Sequence, residues 1–488
     1  MLFNSHAFIF VFLPIVWLVY FGLNRFKLYK IAQFSLIFAS FVFYSFEDWR
    51  LCLLLLATVV VNYFLHIFLS KQPKKPIKYF LLVFGILFNL GLLFYFKYLN
   101  FSLDIVNRVF ATNFFYKKIA LPLGISFFTF QQVSMLIDSA KTKMKTYNFF
   151  DYALYVSYFP QLVAGPIVLH QELIPQFHDE NKKRINASNL ISGMEYFILG
   201  FAKKVLVADS FARICDAGYN NIPSLNVYST ILVILAFTLQ IYFDFSGYCD
   251  MALGLGRMFN FELPINFNSP YKAKSIDEFW DRWHMTLSRF LTQYLYIPLG
   301  GNRKGKLRTY INIMIVFTVS GIWHGANWTF IIWGILHGCA KVFYRFGKSV
   351  IDKIPAPIRW GVTFIFVNAT WVLFRADYFR QSLDIFKKLF WGGSGLGHAD
   401  MVGAFCDTSI AMAFLRNLVS TNAFDVIQQV WLLLWFAACT LVCIKLPSSH
   451  ELIDKKNRSN KWFLYLGALF FLSFIGLSQI SKFIYFNF

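Results

Sequence analysis

YFLLVFGILFNLGLLFYF, residues 79–96, holds no charged side chain. A continuous apolar run near twenty residues is what a membrane-spanning helix requires. Working outward, the run is preceded by the basic loop KQPKKPIK at 71–78 and by three similar runs near 6–24, 31–46 and 51–69. RFKLYK at 25–30 separates the first two, and EDWR at 47–50 is near neutral. Lys and Arg gather in the cytoplasmic loops of membrane proteins, so both basic loops read as cytoplasmic and the N-terminus as external. The first run lacks a basic leader and a small-residue cleavage site, so it reads as a retained helix.

The rest of the chain has the same character. Of 488 residues 57% are hydrophobic and 15% charged, against roughly 25% charged in soluble domains. The net charge of +21 lies in short loops between apolar runs, where membrane orientation and anionic headgroups account for it and nucleic acid is not required. The seven cysteines form no C-x-x-C pair, and neither a metal site nor a disulfide framework is expected.

The middle is less regular. LPLGISFFTFQQVSMLID at 121–138 is too polar to face lipid, and Pro160 and Pro166 break the segment 152–170. Such segments persist only when buried in protein or lining a wet cavity. Lys117 and Lys118 fall where simple alternation expects an outer loop. Helices are expected at 190–210 and 226–245, and then near 311–322, 327–345, 359–376, 429–446 and 462–480, with an exposed loop and a short helix in 391–427. Residues 242–270 mix Asp244, Asp250 and Arg257 with glycines and suggest a packed helix followed by a structured loop.

Two histidines sit among aromatic residues: His324 in TVSGIWHGANWTF (318–330) and His284 in FWDRWHMTLSRF (279–290). His324 lies sixteen residues beyond Arg308. If helical, that is roughly 24 Å, well inside the bilayer. Gly321 and Gly325 leave room for a backbone or a substrate. Burial without a charge partner disfavours protonation, and a neutral imidazole is what a general base requires. A structural histidine bonded to a carbonyl is the other reading. His284 is flanked by Asp277, Glu278, Asp281, Arg282 and Arg289, and either a ligand contact or a structural bond fits it. His337, one helix further on, reads as a packing residue unless it approaches His324.

Four ordered stretches carry a resemblance: YFPQLVAGPI (158–167), QIYFDFSGYCDMALGLGRMFN (240–260), IDEFWDRWHMTLSRFLTQYLYIPLGGNRKG (276–305) and GIWHGANWTFIIWGILHG (321–338). Together they resemble the membrane-bound O-acyltransferase family, in the branch of alginate O-acetylation proteins and peptidoglycan O-acetyltransferases. The resemblance implies an all-α polytopic membrane fold, a ring of tilted helices around a thin core with cytoplasmic and external funnels. It implies that His324 is the essential histidine and that His284 is the upstream family position. On this reading residues 1–488 form one integral-membrane domain. Helices occupy 1–110, the motif-bearing core 117–345, further helices 359–480, and an external aromatic tail 481–488.

The expected reaction moves an acetyl group from a cytoplasmic thioester, with acetyl-CoA as donor substrate and no permanently bound cofactor, to an exported polysaccharide such as peptidoglycan or alginate. Arg303, Lys304, Lys306 and Arg308 either hold the donor's anionic carrier or serve as an ordinary membrane anchor. The tail SKFIYFNF reads plainly as an aromatic belt, yet it resembles the ending of a small partner in teichoic acid D-alanylation. That likeness makes Tyr485 a candidate acyl relay. The expected partners are a periplasmic or surface SGNH/esterase-like protein, the polysaccharide and membrane lipids, with no nucleic acid. The expected location is the bacterial inner membrane. D-alanyl transfer from a carrier protein is the alternative within the enzyme class, and a transporter is the alternative outside it.

Overall fold

A computed structural model describes all residues except 47, 142–145, 396–398, 407–419, 456–457, 479–482 and 485–488. The described residues are overwhelmingly helical and contain no strand. Among the described residues six helices are long and apolar enough to cross a membrane: Phe8–Arg25, Trp49–Lys71, Lys75–Phe110, Val227–Met258, Ala356–Arg375 and Ala423–Lys445. The chain forms two compact units. One comprises Met1–Gly200, Tyr248–Ile265 and the residues from Leu477; the other comprises Phe201–Gly247 and Asn266–Gly476.

In the first unit, Trp49–Lys71 and Lys75–Phe110 are tied by a reciprocal amide pair. Asn62 donates to Asn89 at 3.1 Å and Asn89 donates back at 2.6 Å. A polar side chain of this kind inside an apolar helix is tolerable because each amide satisfies the other. Ile125–Lys141 packs against both helices. Its Ser126, Thr129, Gln131, Gln132, Ser134, Asp138 and Ser139 are all buried, which explains a helix too polar for lipid. The proline-broken segment is likewise interior: Phe149–Ser157 ends at Tyr158, a short turn Phe159–Leu162 follows, and Tyr155, Phe159 and Leu162 are fully buried. Gly193 and Gly254 mark a close helix crossing, since a Cβ on Gly193 would lie 2.7 Å from the Gly254 carbonyl oxygen.

The helix expected at 226–245 and the packed helix expected within 242–270 are one continuous element, Val227–Met258, whose charged residues find partners inside the protein. Arg257, for example, lies 4.7 Å from the Tyr196 ring. The stretch expected as loop begins just after an additional amphipathic helix, Phe379–Trp391. The tail starts as an interior element of the first unit. Phe483 and Ile484 are buried, and Phe483 stacks on Tyr248 at 4.7 Å, so these two residues do not form a surface belt. Tyr485 lies outside the described residues.

In the second unit, Gly305–His324 and Trp328–Ile351 form a helical hairpin joined by only three residues. Asn327 caps the second helix by accepting from the Thr329 amide at 3.2 Å. Gly321 faces the Phe330 backbone and Gly325 the Phe330 ring. The room those glycines leave is therefore taken by the hairpin's own packing.

Candidate active site

His284 links two seven-residue helices, Ile276–Arg282 and Met285–Leu291, in a left-handed conformation with φ of 46°. Its ring is fully buried. The charged neighbours in sequence turn away from it. Glu278 pairs with Arg282 at 3.0 Å, and Asp277 pairs with Lys341 at 3.2 Å and Arg345 at 3.3 Å. The partner of the imidazole is Asn266, whose Oδ1 lies 3.1 Å from His284 Nδ1. The same oxygen accepts from the Thr286 amide at 3.2 Å and the Thr286 hydroxyl at 2.9 Å. A backbone N–H can only donate, so the atom facing it is the amide oxygen, an acceptor. The His284 proton therefore sits on Nδ1 and the lone pair on Nε2. That Nε2 is buried and meets no hydrogen-bond partner among the described residues.

His324 ends the first hairpin helix and is 3% exposed. The run from the Gly305 turn is continuously helical, as the spacing from Arg308 requires. Four rings surround its imidazole: Trp323 at 4.9 Å, Trp333 at 5.1 Å, Phe374 at 5.2 Å and His284 at 6.4 Å between centroids. The structure thus brings the two sequence-predicted histidines together in one aromatic compartment.

A cavity of about 650 Å³ opens beside them in the same unit. Its walls include Trp280, Leu287, Ile313, Phe317 and Ser320, with Arg289, Lys341 and Arg345 among its polar residues. Ser320 precedes His324 by four residues on one helix. Residues so spaced are neighbours on one helix face, about 6 Å apart, so the cavity reaches within one turn of the imidazole. Arg303 and Lys304 are exposed on the turn before that helix and Lys306 and Arg308 on its first turn, and none of them lines the cavity.

The sequence profile described as "MBOAT, membrane-bound O-acyltransferase family" matches residues 41–375. The chain is a membrane-bound O-acyltransferase. It is 39% identical to the peptidoglycan O-acetyltransferase of Helicobacter pylori, an alignment covering 100% of this chain and 98% of that protein. It is 37% identical to the probable alginate O-acetylase AlgI of Pseudomonas aeruginosa, over 85% of this chain and 80% of that protein. Likeness to the teichoic acid D-alanyltransferase of Streptococcus thermophilus is 27%, over 45% of this chain and 56% of that protein. With its apolar helices, the acyltransferase is a multi-pass membrane protein.

Three further features of this acyltransferase were not singled out as site residues in the sequence. Asn266 fixes the His284 tautomer from a loop eighteen residues upstream. Trp280 walls the cavity, and its indole N–H donates to His337 Nδ1 at 3.3 Å. His337 is in turn bonded to the Thr370 hydroxyl at 2.9 Å, so it does more than pack. Finally, Lys204 is buried between Asp209 at 2.8 Å and Asp244 at 2.6 Å, an ion triad that ties the Val227–Met258 helix to the π-helical turn Lys203–Ala208. Its signal was legible: a lysine in an apolar run needs a carboxylate partner.

Proposed function

We propose that the protein transfers an acetyl group from acetyl-CoA, bound at the cytoplasmic face, to a hydroxyl of an exported cell-surface polysaccharide. Peptidoglycan is the leading acceptor and alginate the next. The single observation that carries the chemistry is the pair of buried imidazoles beside a cavity of about 650 Å³. The relative matched over its whole length acts, by its name, on peptidoglycan, and this favours that acceptor.

In the proposed step the hydroxyl oxygen attacks the thioester carbonyl while His324, as general base, takes the hydroxyl proton. The carbon–sulfur bond then breaks, and the imidazolium returns the proton to the departing thiolate, so that free thiol and ester are the products. His284, with its lone pair preset on Nε2, accepts a hydrogen bond in the same compartment and orients the reacting group. A thioester is already activated, and the step uses these side chains alone. Arg289, Lys341 and Arg345 line the cavity and, with Asp277 neutralising only one of the three charges, leave it a net positive charge from these residues for the donor's phosphates, a role better suited to cavity residues than to the exposed residues 303–308.

We further propose that the hydroxyl attacking the thioester is that of Tyr485; the acceptor hydroxyl then attacks the acetyl-tyrosine carbonyl, the bond from that carbonyl carbon to the tyrosine oxygen breaks, and the acceptor's proton returns to the tyrosine oxygen. Tyr485 follows Phe483 and Ile484, which are anchored in the first unit. An SGNH/esterase-like protein outside the inner membrane completes delivery, and both termini face outward in this scheme. The test is thiol release from acetyl-CoA by the purified protein in vesicles, together with mass analysis of the C-terminal peptide. Release by the native chain and its loss in His324→Ala are expected. Release that survives His324→Ala refutes the mechanism, and an unmodified tail during turnover refutes the relay.

A further inference from the structure

The cavity and the imidazole of His324 do not share a wall. Trp280 lines the cavity, Trp333 packs behind it with centroids 5.8 Å apart, and Trp333 in turn contacts His324 at 5.1 Å. Phe317 closes the side, 5.1 Å from Trp280. A group moving from the cavity toward His324 must therefore pass Ser320 along the Trp280 indole. That indole is pinned. The Thr370 hydroxyl donates to the Val367 carbonyl at 2.9 Å, so it accepts from His337 Nε2–H at 2.9 Å. His337 Nδ1 is thereby left as the acceptor for the Trp280 N–H at 3.3 Å. Trp280, His337 and Thr370 are all buried, at 4%, 0% and 2% exposure. The chain Trp280–His337–Thr370–Val367 satisfies every polar group along it, so rotating the indole away leaves the buried His337 Nδ1 unpaired.

We propose that Trp280 sets the size of acyl group the enzyme accepts, and that His337, through its bond to the indole, is the positioning residue for that wall. The inference deepens the acyl-transfer reading and rests on it for the identity of the substrate. On this proposal the passage beside the indole admits a two-carbon acyl group, and each added methylene meets a ring held in place by its bond to His337. A hydrophobic wall of this kind discriminates by about 10- to 200-fold per methylene.

Two measurements on the full-length protein in vesicles test the proposal. The first compares kcat/KM for acetyl-CoA and butyryl-CoA in the native chain, Trp280→Leu, Trp280→Phe, His337→Leu and His337→Asn. The butyryl-to-acetyl ratio is expected to rise at least tenfold in Trp280→Leu and to rise in Trp280→Phe and His337→Leu. It should stay within about twofold of native in His337→Asn, whose amide oxygen can replace the Nδ1 acceptor. The second uses no turnover: Ser320→Cys chains, with native Trp280 or with Trp280→Leu or Trp280→Phe, react with methyl and benzyl methanethiosulfonate. Mass analysis of the peptide containing position 320 gives both rates. A relative gain of at least tenfold for the benzyl reagent is expected on replacement by Leu. Rates that fall together with unchanged ratios show a merely structural tryptophan and overturn the proposal, as does an unchanged reagent ratio. A native chain that releases no thiol from either thioester refutes the donor reading instead, and the labelling ratios then decide the role of Trp280.

Discussion

Asn266 offers the sharpest test of the site's chemistry, because one oxygen atom holds three donors. Replacing it with Leu removes the acceptor for His284 Nδ1–H, the Thr286 amide and the Thr286 hydroxyl together. The hydroxyl can rotate to a new partner, but the amide and the ring N–H stay buried. A buried donor left without a partner costs about 1–3 kcal/mol, so the variant should lose about 2–6 kcal/mol of stability and unfold at a lower temperature in detergent. The kinetic effect is separate. Without the Asn266 oxygen the imidazole proton is free to move to Nε2, and the lone pair that faces the compartment is lost in that fraction of molecules. We expect kcat for thiol release from acetyl-CoA to fall ten- to a hundredfold, a modest part of the roughly 10²–10⁴ that a positioned base contributes, while KM for the donor changes little. Asn266→Asp keeps an acceptor for all three donors and should hold the tautomer. Its carboxylate also favours the imidazolium, so its activity should fall as pH drops, at a higher pH than in the native chain. A folded Asn266→Leu protein with native kcat would refute the claim that the His284 tautomer matters.

Four further outcomes are expected. His324→Ala should reduce acetyl transfer to polysaccharide by at least a hundredfold without lowering the unfolding temperature by more than a few degrees, read by ester analysis of isolated polymer. Lys204→Met removes the cation that the buried Asp209 and Asp244 share, a change costing about 3–5 kcal/mol, and should lower the yield of folded protein in detergent. Replacing Arg303, Lys304, Lys306 and Arg308 together by Gln should leave KM for acetyl-CoA within about threefold of native, whereas Lys341→Gln with Arg289→Gln should raise it about tenfold, as loss of about 1.4 kcal/mol of binding would. Deleting the last six residues should abolish transfer to the external acceptor while the protein still folds, and full activity in the truncated chain rules out the relay.

The long apolar helices were legible because lipid imposes length and composition on them without regard to their neighbours. Trp49–Lys71 and the start of Lys75–Phe110 fall within a few residues of the runs read from hydrophobicity. Where protein replaces lipid as the surroundings, that rule lapses. Val227–Met258 runs through Asp244 and Asp250 without a break, since a buried carboxylate beside Lys204 costs the helix nothing that water would have to repair. The two histidines were visible as titratable rings in aromatic surroundings, but their relation was not. It depends on a left-handed residue at His284 and on Asn266, a side chain distant in sequence that carries no charge and no motif of its own. The role of His337 was hidden for the same reason: its meaning lies in a bond to Trp280 fifty-seven residues away.

The stoichiometry of the proposed reaction gives each of the two buried imidazoles a task. An acetyl group leaving a thioester on one face for a hydroxyl on the other must be matched by a proton travelling the opposite way, from the hydroxyl to the sulfur. The exchange is electrically neutral, so the membrane potential neither drives nor opposes it. Water in the compartment would carry that proton as readily, but it would also hydrolyse the thioester. The rings of Trp323, Trp333 and Phe374 pack around His324, so in the proposed reaction fixed side chains carry the proton, with His324 as the group that takes and returns it. His284, held by Asn266 with its Nε2 lone pair buried, is an acceptor that needs no solvent to hold its orientation.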